Sequence, residues 1–267
     1  MELDILCKQV VAEARCVGSF IKAEGKKFDV SKIEHKGFND LVSYVDKEAE
    51  KQLVAALKIL MPEAGFITEE GTEDSQQQEY TWIIDPLDGT TNFMHGLPVY
   101  AISIGLSRQV LMQKREIVLG VVYEINFDEA FYAWKNGGAY LNDKPINVSK
   151  AGKLADSLIA TGFPYTEFGR AADYLKMLGA FMSKSHGVRR IGSAAVDLAY
   201  VACGRFEGFF EFNLNAWDVA GGIIIVQEAG GQVSTFKKEG DPVFDREICA
   251  SNTNIHAEMM AVIQQEW

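Results

Sequence analysis

The first residues of the chain place apolar side chains at steps of three and four, a spacing that predicts an amphipathic helix. The apolar positions are Leu3, Leu6, Val10, Ala14, Val17 and Ile21. A second helix is predicted from about Asp46 to Leu60, and Pro62 ends it. Each of these helices has one apolar face, and we expect that face to be buried against other elements of the fold.

Short apolar runs bounded by turn residues predict strands in the rest of the first half. Gly65–Thr68 and Thr81–Ile84 each run directly into acidic residues, and the polar residues 71–79 between them predict a loop. Three further runs predict an antiparallel meander, and they are Tyr100–Ser107, Leu119–Tyr123 and Ala130–Trp134.

The second half alternates runs typical of strands with runs typical of helices. Strands are predicted at Leu158–Thr161, Phe206–Phe212, Gln232–Phe236 and Ile248–Ser251. Helices are predicted at Ala171–Ser183, Ser193–Cys203 and Trp217–Glu228, and a last helix closes the chain. This order predicts an α/β fold of the layered α+β type, antiparallel in its first half and mixed in its second. We expect one domain over residues 1–267, with two lobes at roughly 1–150 and 151–267.

Composition and charge narrow the classes of function. The 267 residues are 48% hydrophobic and 24% charged, as in soluble globular proteins. A net charge of −11 and a pI of about 4.9 disfavour direct binding to nucleic acid or to an anionic membrane. No apolar run approaches the ~20 residues of a membrane span and the first residues lack a basic stretch, so we predict a cytoplasmic protein. So acidic a protein would bind a phosphate ester only where cations supply local positive charge.

Acidic residues recur where a predicted element meets a loop. Glu69 and Glu70 follow one strand, Asp85 and Asp88 follow the next, and Asp218 stands at the predicted start of a helix. The ends of strands and the starts of helices are where α/β and α+β folds commonly place their functional sites. These carboxylates are therefore candidate members of one site.

The segment from Asp85 to Asp88 has the chemistry of a Mg²⁺ site. Pro86 sets its own φ and favours an extended Asp85, so the turn begins sharply. Two carboxylates across a tight turn repel each other strongly unless a cation lies between them. Mg²⁺ prefers oxygen ligands of this kind, and the Leu87 carbonyl is a further one. The alternative is an ordinary turn, because Asp, Pro and Gly are common in turns.

Residues that can bind phosphate follow this segment. Gly89 allows the backbone to approach a ligand closely. If a helix starts after it, the next residues offer hydroxyls and free backbone N–H groups to a phosphate, and these are Thr90 and Thr91.

The longer segment WIIDPLDGTTNF, residues 82–93, resembles the first signature of the inositol monophosphatase family. WDVAGG at 217–222, continuing to EAGG at 228–231, resembles the second. GFITEE at 65–70 and DLVSYVD at 40–46 fall where that family has its other acidic motifs. The resemblance spans almost the whole chain in the family's order. It implies an alternating αβαβα sandwich of the sugar phosphatase type and a homodimer.

The resemblance also implies Mg²⁺ as cofactor, with two or three ions per subunit. Glu69, Asp85 and the Leu87 carbonyl would bind the first ion. Asp85, Asp88 and Asp218 would bind the second. These five residues are therefore the expected metal ligands.

A third, looser ion is expected near Glu69, with Asp46 taking part through water. Thr90, together with Glu69, would orient and deprotonate the attacking water. The resemblance thus implies that Glu69, Thr90 and Asp46 are the catalytic residues.

The substrate would be bound by residues on both sides of this cluster. The resemblance implies contacts from the backbone of Gly192, Ser193 and Ala194 and from the carboxylate of Glu211, which accepts hydrogen bonds from hydroxyls. Phosphate contacts are expected from residues 89–91 and from Asp218. Lys36 falls near a family lysine in the loop beside the third ion.

The function implied is hydrolysis of inositol monophosphate to myo-inositol and phosphate by a metal-activated water, with sensitivity to lithium. Phosphatases of the same fold for fructose 1,6-bisphosphate, histidinol phosphate or a 3′-phosphonucleotide are alternatives, because fold and metal site do not separate them. A non-catalytic partner of transcription or RNA machinery is another. None of the acidic metal ligands is missing, which favours the enzyme.

Overall fold

The computed structural model describes residues 2–27, 34–37, 40–42, 44–75, 78–111, 114–163, 168–237 and 239–267, with only the backbone described at 34–37 and 40–42. The helices are α1 Leu3–Gly25, α2 Tyr44–Leu60, α3 Thr90–Met94, α4 Ala171–Lys184, α5 Ala194–Ala202, α6 Ala216–Glu228 and α7 His256–Glu266. The first strands are β1 Glu34–Gly37, β2 Asp40–Val42, β3 Gly65–Thr68, β4 Asp74–Ser75, β5 Tyr80–Asp88, β6 Ala101–Leu111, β7 Lys114–Glu124 and β8 Glu129–Trp134. The later strands are β9 Ala139–Leu141, β10 Lys144–Ile146, β11 Leu158–Thr161, β12 Gly187–Arg189, β13 Gly208–Phe212, β14 Gly231–Ser234 and β15 Glu247–Asn252.

The strands of the described residues form two large sheets and the hairpin β1–β2. One sheet has the order β10-β9-β8-β7-β6-β5-β3-β4, and the other has the order β12-β11-β13-β15-β14. Helices α1 and α2 pack on one face of the first sheet through a common apolar core. Helices α5 and α6 fill the space between the two sheets, and α4 and α7 cover the outer face of the second. The layers follow the αβαβα order, so the predicted sandwich is confirmed.

Helix α6 lies unusually close to the first sheet because glycines face it. A Cβ on Gly105 would stand 2.7 Å from the Cβ of Ala220, and one on Gly120 would stand 2.5 Å from Cγ2 of Ile224. Distances below about 3 Å are shorter than carbon–carbon contacts allow, so both positions need glycine in this packing. The close approach brings the first turn of α6, which carries Asp218, to strand β6: Ser103 on β6 donates to the Trp217 carbonyl at 3.0 Å.

The structure corrects the predicted antiparallel first half, because β3 and β5 pair in parallel. It also corrects the end of the second strand: β5 continues past Ile84 to Asp88, with a shift in register against β6 between Asp85 and Asp88. Pro86 causes this irregularity, since it has no N–H to donate to a neighbouring strand. The acidic pair therefore lies in a bulged strand end and not in a free turn.

Other strands are too short for their sequence pattern to predict. Residues 71–79, expected to be a loop, contain β4, and β9, β10 and β12 each have only three residues. In the second sheet, β11 pairs in parallel with β12 and β13, and β15 pairs antiparallel with β13 and β14. The predicted mixed second half is confirmed. Across the described ranges, no helix is long and apolar enough to span a membrane.

Candidate functional site

The bulge at the end of β5 directs Asp85 into the interior. Its side chain is only 2% exposed, and one carboxylate oxygen accepts a hydrogen bond from the Leu87 backbone N–H at 2.9 Å. Gly89, with φ of 96°, then turns the chain into α3. Because left-handed φ values are costly for other residues, glycine is favoured where strand and helix meet.

Three other carboxylates lie near Asp85. Burial raises its pKa well above the usual range, and the charges of Glu69, Asp88 and Asp218 raise it further. Glu69 is also within hydrogen-bonding contact of Asp85. Two carboxylates keep such a contact only when a proton or a cation lies between them. The structure thus brings together the acidic residues of three separate sequence motifs.

Asp88 joins the end of β5 to the start of α5. One of its oxygens accepts from Ser193 Oγ at 2.7 Å and from the Ala195 backbone N–H at 2.6 Å. Burial raises the pKa of Asp88 to about 6, and these hydrogen bonds limit the rise. A carboxylate at the free N–H groups of a helix N-terminus is stabilised in its charged form.

Asp218 lies in the first turn of α6. It forms a capping box with Asn215, whose backbone N–H donates to its carboxylate at 2.7 Å. Burial raises the pKa of Asp218 to about 7, and the charge of Asp88 adds to this effect. The helix start therefore fixes the side chain while leaving it in a strongly negative environment.

Asp46 and Thr90 form a second pair beside these carboxylates. Asp46, on α2, is 1% exposed. The Thr90 hydroxyl lies 2.9 Å from Oδ1 of Asp46 and 2.8 Å from the Leu87 carbonyl, so either oxygen can accept its single proton. Resemblance to the family paired Thr90 with Glu69 in handling water, and that pairing stays a prediction. The contact with Asp46 is an addition from the structure.

Glu211, at the end of β13, faces the same region. Its side chain is 6% exposed, and a Cβ on Gly162 would overlap both of its carboxylate oxygens. The nearby Thr161 and Tyr174 hydroxyls donate to the backbone carbonyls of Phe210 and Gly162. Burial raises the pKa of Glu211 well above its usual range.

Two residues near Glu211 were not expected at the site. Arg190 is not among the predicted site residues, but its side chain is half-buried and its charge lowers the pKa of Asp88, Glu211 and Asp197. Asp197, on α5, is 1% exposed, and burial raises its pKa strongly. No local signal identified either residue, because their positions depend on how α5 packs against the second sheet.

The structure describes most of the remaining predicted residues. Gly192, with φ of 90°, leads into α5, where Ser193 is the N-cap and Ala194 the first helical residue. Thr91 is half-buried in α3. Lys36 belongs to β1, and its side chain lies outside the described part of the structure.

The donor set fits Mg²⁺ in its chemistry. All the charged donors are carboxylate oxygens: Asp85 is buried, and Glu69, Asp88 and Asp218 are half-buried. Burial and then mutual repulsion raise the pKa values of Asp85 and Asp218, and a cation would relieve that repulsion. Among the described residues, no three Asp, Glu, His or Cys side chains are already arranged as ligands of one ion. Hydrogen bonds from Leu87, Ala195 and Asn215 instead hold the carboxylates in their present orientations.

The whole chain is similar to known proteins. The sequence profile of the Inositol monophosphatase family matches residues 3–267. The chain is 43% identical over 251 residues to the "Putative Nus factor SuhB" of Neisseria meningitidis serogroup B, and the match covers 94% of each protein. It is 37% identical over 266 residues to the "Inositol-1-monophosphatase" of Mesorhizobium japonicum, and this match covers 99% of this chain and 98% of the relative.

A solved structure agrees with these sequence relationships. The extragenic suppressor protein suhB from Bartonella henselae has a TM-score of 0.90 at 38% identity, and the match covers 97% of this chain and 98% of that one. Family profile, relatives and fold all extend over nearly the full length. The chain belongs to the inositol monophosphatase family.

Proposed function

We propose that this protein is a Mg²⁺-dependent phosphomonoesterase that hydrolyses inositol monophosphate to myo-inositol and phosphate. The observation that carries the proposal is that Glu69, Asp88 and Asp218 lie near the buried Asp85, beside the Asp46–Thr90 pair. The Mesorhizobium japonicum relative that bears the name inositol-1-monophosphatase supports the substrate class.

The carboxylates would hold the cations. Glu69, Asp85 and the Leu87 carbonyl are the proposed ligands of one ion, and Asp85, Asp88 and Asp218 those of a second. When bound, Mg²⁺ supplies positive charge for the phosphoryl oxygens and makes water easier to deprotonate. The need for that charge follows from the net charge of −11, which would otherwise repel a phosphate ester.

Thr90 and Asp46 would handle the proton of the attacking water. The Thr90 hydroxyl can donate to Asp46 across 2.9 Å, which leaves a lone pair of its oxygen able to accept a proton. As Thr90 takes a proton from water, its own proton passes to Asp46, so no charge builds up on the hydroxyl. Asp46 is buried on the rigid helix α2, which keeps the relay in one geometry.

The polyol would be bound by groups outside the carboxylate cluster. The carboxylate of Glu211 would accept hydrogen bonds from hydroxyls, and the backbone at Gly192–Ala194 would offer N–H groups at the start of α5. The Ser193 side chain already donates to Asp88, so only its backbone remains for a ligand. Phosphatase activity on another sugar or nucleotide phosphate would keep the same cations and change only these contacts.

A second candidate is a role as a partner of the transcription machinery. The Neisseria relative carries the name of a putative Nus factor, as do relatives named Nus factor SuhB from Pseudomonas aeruginosa and Escherichia coli, both 38% identical. The acidic charge of this chain disfavours direct contact with RNA but not contact with protein. Both roles can coexist on one fold.

Phosphate release in Mg²⁺ tests the proposal with four esters: inositol 1-phosphate, fructose 1,6-bisphosphate, histidinol phosphate and adenosine 3′,5′-bisphosphate. We expect kcat/KM for inositol 1-phosphate to exceed the others by roughly tenfold, about 1.4 kcal/mol in transition-state binding. Excess EDTA should abolish the activity, and millimolar Li⁺ should inhibit it. Asp88→Asn is the inactive control, with thermal unfolding to verify its fold.

The outcomes separate the candidates. Preference for another ester would retain the metal-dependent reaction and replace the substrate. Full activity in excess EDTA would refute the cation requirement. No release from any ester would favour the partner role, whose persistence in Asp88→Asn a pull-down of transcription proteins would measure. Light scattering of the same preparation tests the predicted homodimer.

A further inference from the structure

Glu50 is a fully buried acidic residue that no sequence motif singled out. It lies on α2 with 0% of its side chain exposed. One carboxylate oxygen accepts from the Glu70 backbone N–H at 2.7 Å, and the other accepts from the Thr72 backbone N–H at 2.9 Å and the Thr72 hydroxyl at 2.7 Å. Burying a carboxylate is costly, and here its hydrogen bonds all go to one short loop.

That loop carries Glu69, one of the proposed metal ligands. The Glu69 backbone N–H donates to the Ile84 carbonyl at 3.2 Å, next to Asp85 on β5. The following peptide N–H, at Glu70, donates to Glu50. Glu69 is therefore held on both sides, by strand β5 before it and by helix α2 after it.

Helix α2 joins two parts of the site through residues one turn apart. Asp46 and Glu50 are separated by four positions, so their side chains share one face of the helix. Asp46 contacts the Thr90 hydroxyl, whereas Glu50 holds the loop after Glu69. A rigid helix with both contacts sets the distance between the water-handling pair and a metal-binding carboxylate.

We propose that Glu50 is a positioning residue that orients Glu69 for Mg²⁺ through the backbone of residues 70–72. The catalytic consequence of this inference rests on the proposed function. The expected effects of Glu50 on the loop and on Mg²⁺ affinity do not depend on that function. Residues that hold metal ligands in place typically change metal affinity or activity about 10- to 100-fold when they are replaced. Glu50 itself is not among the proposed metal ligands or substrate contacts.

The test compares Glu50→Gln with Glu48→Gln. Glutamine keeps the size of Glu50 but replaces one of its two acceptor oxygens by an NH₂ group, which cannot accept from the loop. Glu48 lies on the same helix with its side chain exposed, so Glu48→Gln removes the same charge without touching the loop. Thr72→Val removes only the hydroxyl donor, and it serves as a milder variant if Glu50→Gln does not fold.

Three measurements distinguish positioning from mere stabilisation. Amide hydrogen exchange without Mg²⁺ reports on the N–H groups of Glu70 and Thr72. Isothermal calorimetry with Mg²⁺ gives its affinity, and phosphate release across Mg²⁺ concentrations gives the half-saturating concentration. We expect Glu50→Gln to speed exchange at the amide that faces the NH₂ group and to weaken Mg²⁺ binding about tenfold or more, with kcat largely restored at high Mg²⁺. Glu48→Gln should match wild type throughout.

A contrary result is equally clear. If Glu50→Gln, or Thr72→Val in its place, lowers the melting temperature but leaves amide exchange and Mg²⁺ affinity at wild-type values, Glu50 is only structural and the inference is wrong. If wild type itself releases no phosphate from any ester, the proposed function fails. Exchange and calorimetry would then still decide the role of Glu50.

Discussion

The contact between Gly162 and Glu211 allows a direct test of how the substrate is recognised. A Cβ at position 162 would overlap the Glu211 carboxylate, whose position at the end of a side chain makes it the part that moves. Gly162 is not among the residues with left-handed φ, so alanine fits its backbone. Gly162→Ala should therefore displace the carboxylate and leave the main chain in place.

The size of the effect follows from the hydrogen bond that would be lost. A hydrogen bond from a hydroxyl to a charged carboxylate contributes about 1.5–3 kcal/mol. Its loss from the transition state corresponds to a fall of roughly 10- to 150-fold in kcat/KM. p-Nitrophenyl phosphate has no polyol hydroxyls, so its hydrolysis should be nearly unchanged.

The assay measures kcat/KM for inositol 1-phosphate and for p-nitrophenyl phosphate in saturating Mg²⁺. Gly179→Ala is the matched control, because no atom lies within 4 Å of the added Cβ. Glu211→Gln should also lower the ratio of kcat/KM for inositol 1-phosphate to kcat/KM for p-nitrophenyl phosphate. Adding Gly162→Ala to Glu211→Gln should lower that ratio little further, since both substitutions act on one contact. An unchanged ratio in a folded Gly162→Ala protein, or equal losses on both substrates, would refute a role for Glu211 in reading hydroxyls.

Three further predictions concern the relay, the packing and the response to pH. Asp46→Asn should lower kcat at least about 100-fold with little change in KM, because it removes the proton acceptor of Thr90; steady-state kinetics giving a kcat near wild type would contradict the relay. Gly120→Ala should lower the free energy of unfolding in urea by about 1–3 kcal/mol, because its Cβ would stand 2.5 Å from Cγ2 of Ile224. An unchanged unfolding midpoint would show that α6 can move away. The ring nitrogens of His256 form hydrogen bonds with two serine hydroxyls, and burial lowers its folded-state pKa below the unfolded value of 6.5. The stability that neutral His256 contributes is therefore present above pH 6.5 and is lost as the pH falls toward the folded-state pKa. The difference in unfolding free energy between wild type and His256→Gln should narrow over that pH range, and a constant difference would contradict this prediction.

Much of the fold could be predicted because its patterns are local. The apolar spacing of α1 and α2, the strand before Glu69 and the meander from β6 to β8 each lie within one window of sequence. The parallel pairing of β3 with β5 could not be predicted this way. It depends on the path that residues 69–79, which include β4, take between the two strands, and neither strand carries a mark of its partner.

Some residues of the candidate site could likewise be predicted from the local sequence, and others could not. Asp85 and Asp88 stand out because proline and glycine, which interrupt regular structure, lie beside them. Their partners do not stand out. Glu50 reads as one charge among several on a solvated helix, and Arg190 reads as a surface cation, yet the structure makes the first fully buried and the second half-buried.

The amino-acid sequence alone determined the types of the main elements, the oxygen-rich donor set and the family, because these follow from local periodicity, residue chemistry and ordered motifs. Only the tertiary structure decided which groups meet. Asp46 reaches Thr90 across 44 positions and Asp88 reaches Ala195 across 107. Such contacts result from the combined packing of sheets and helices far apart in the chain, and the energy that selects them is spread over the whole core.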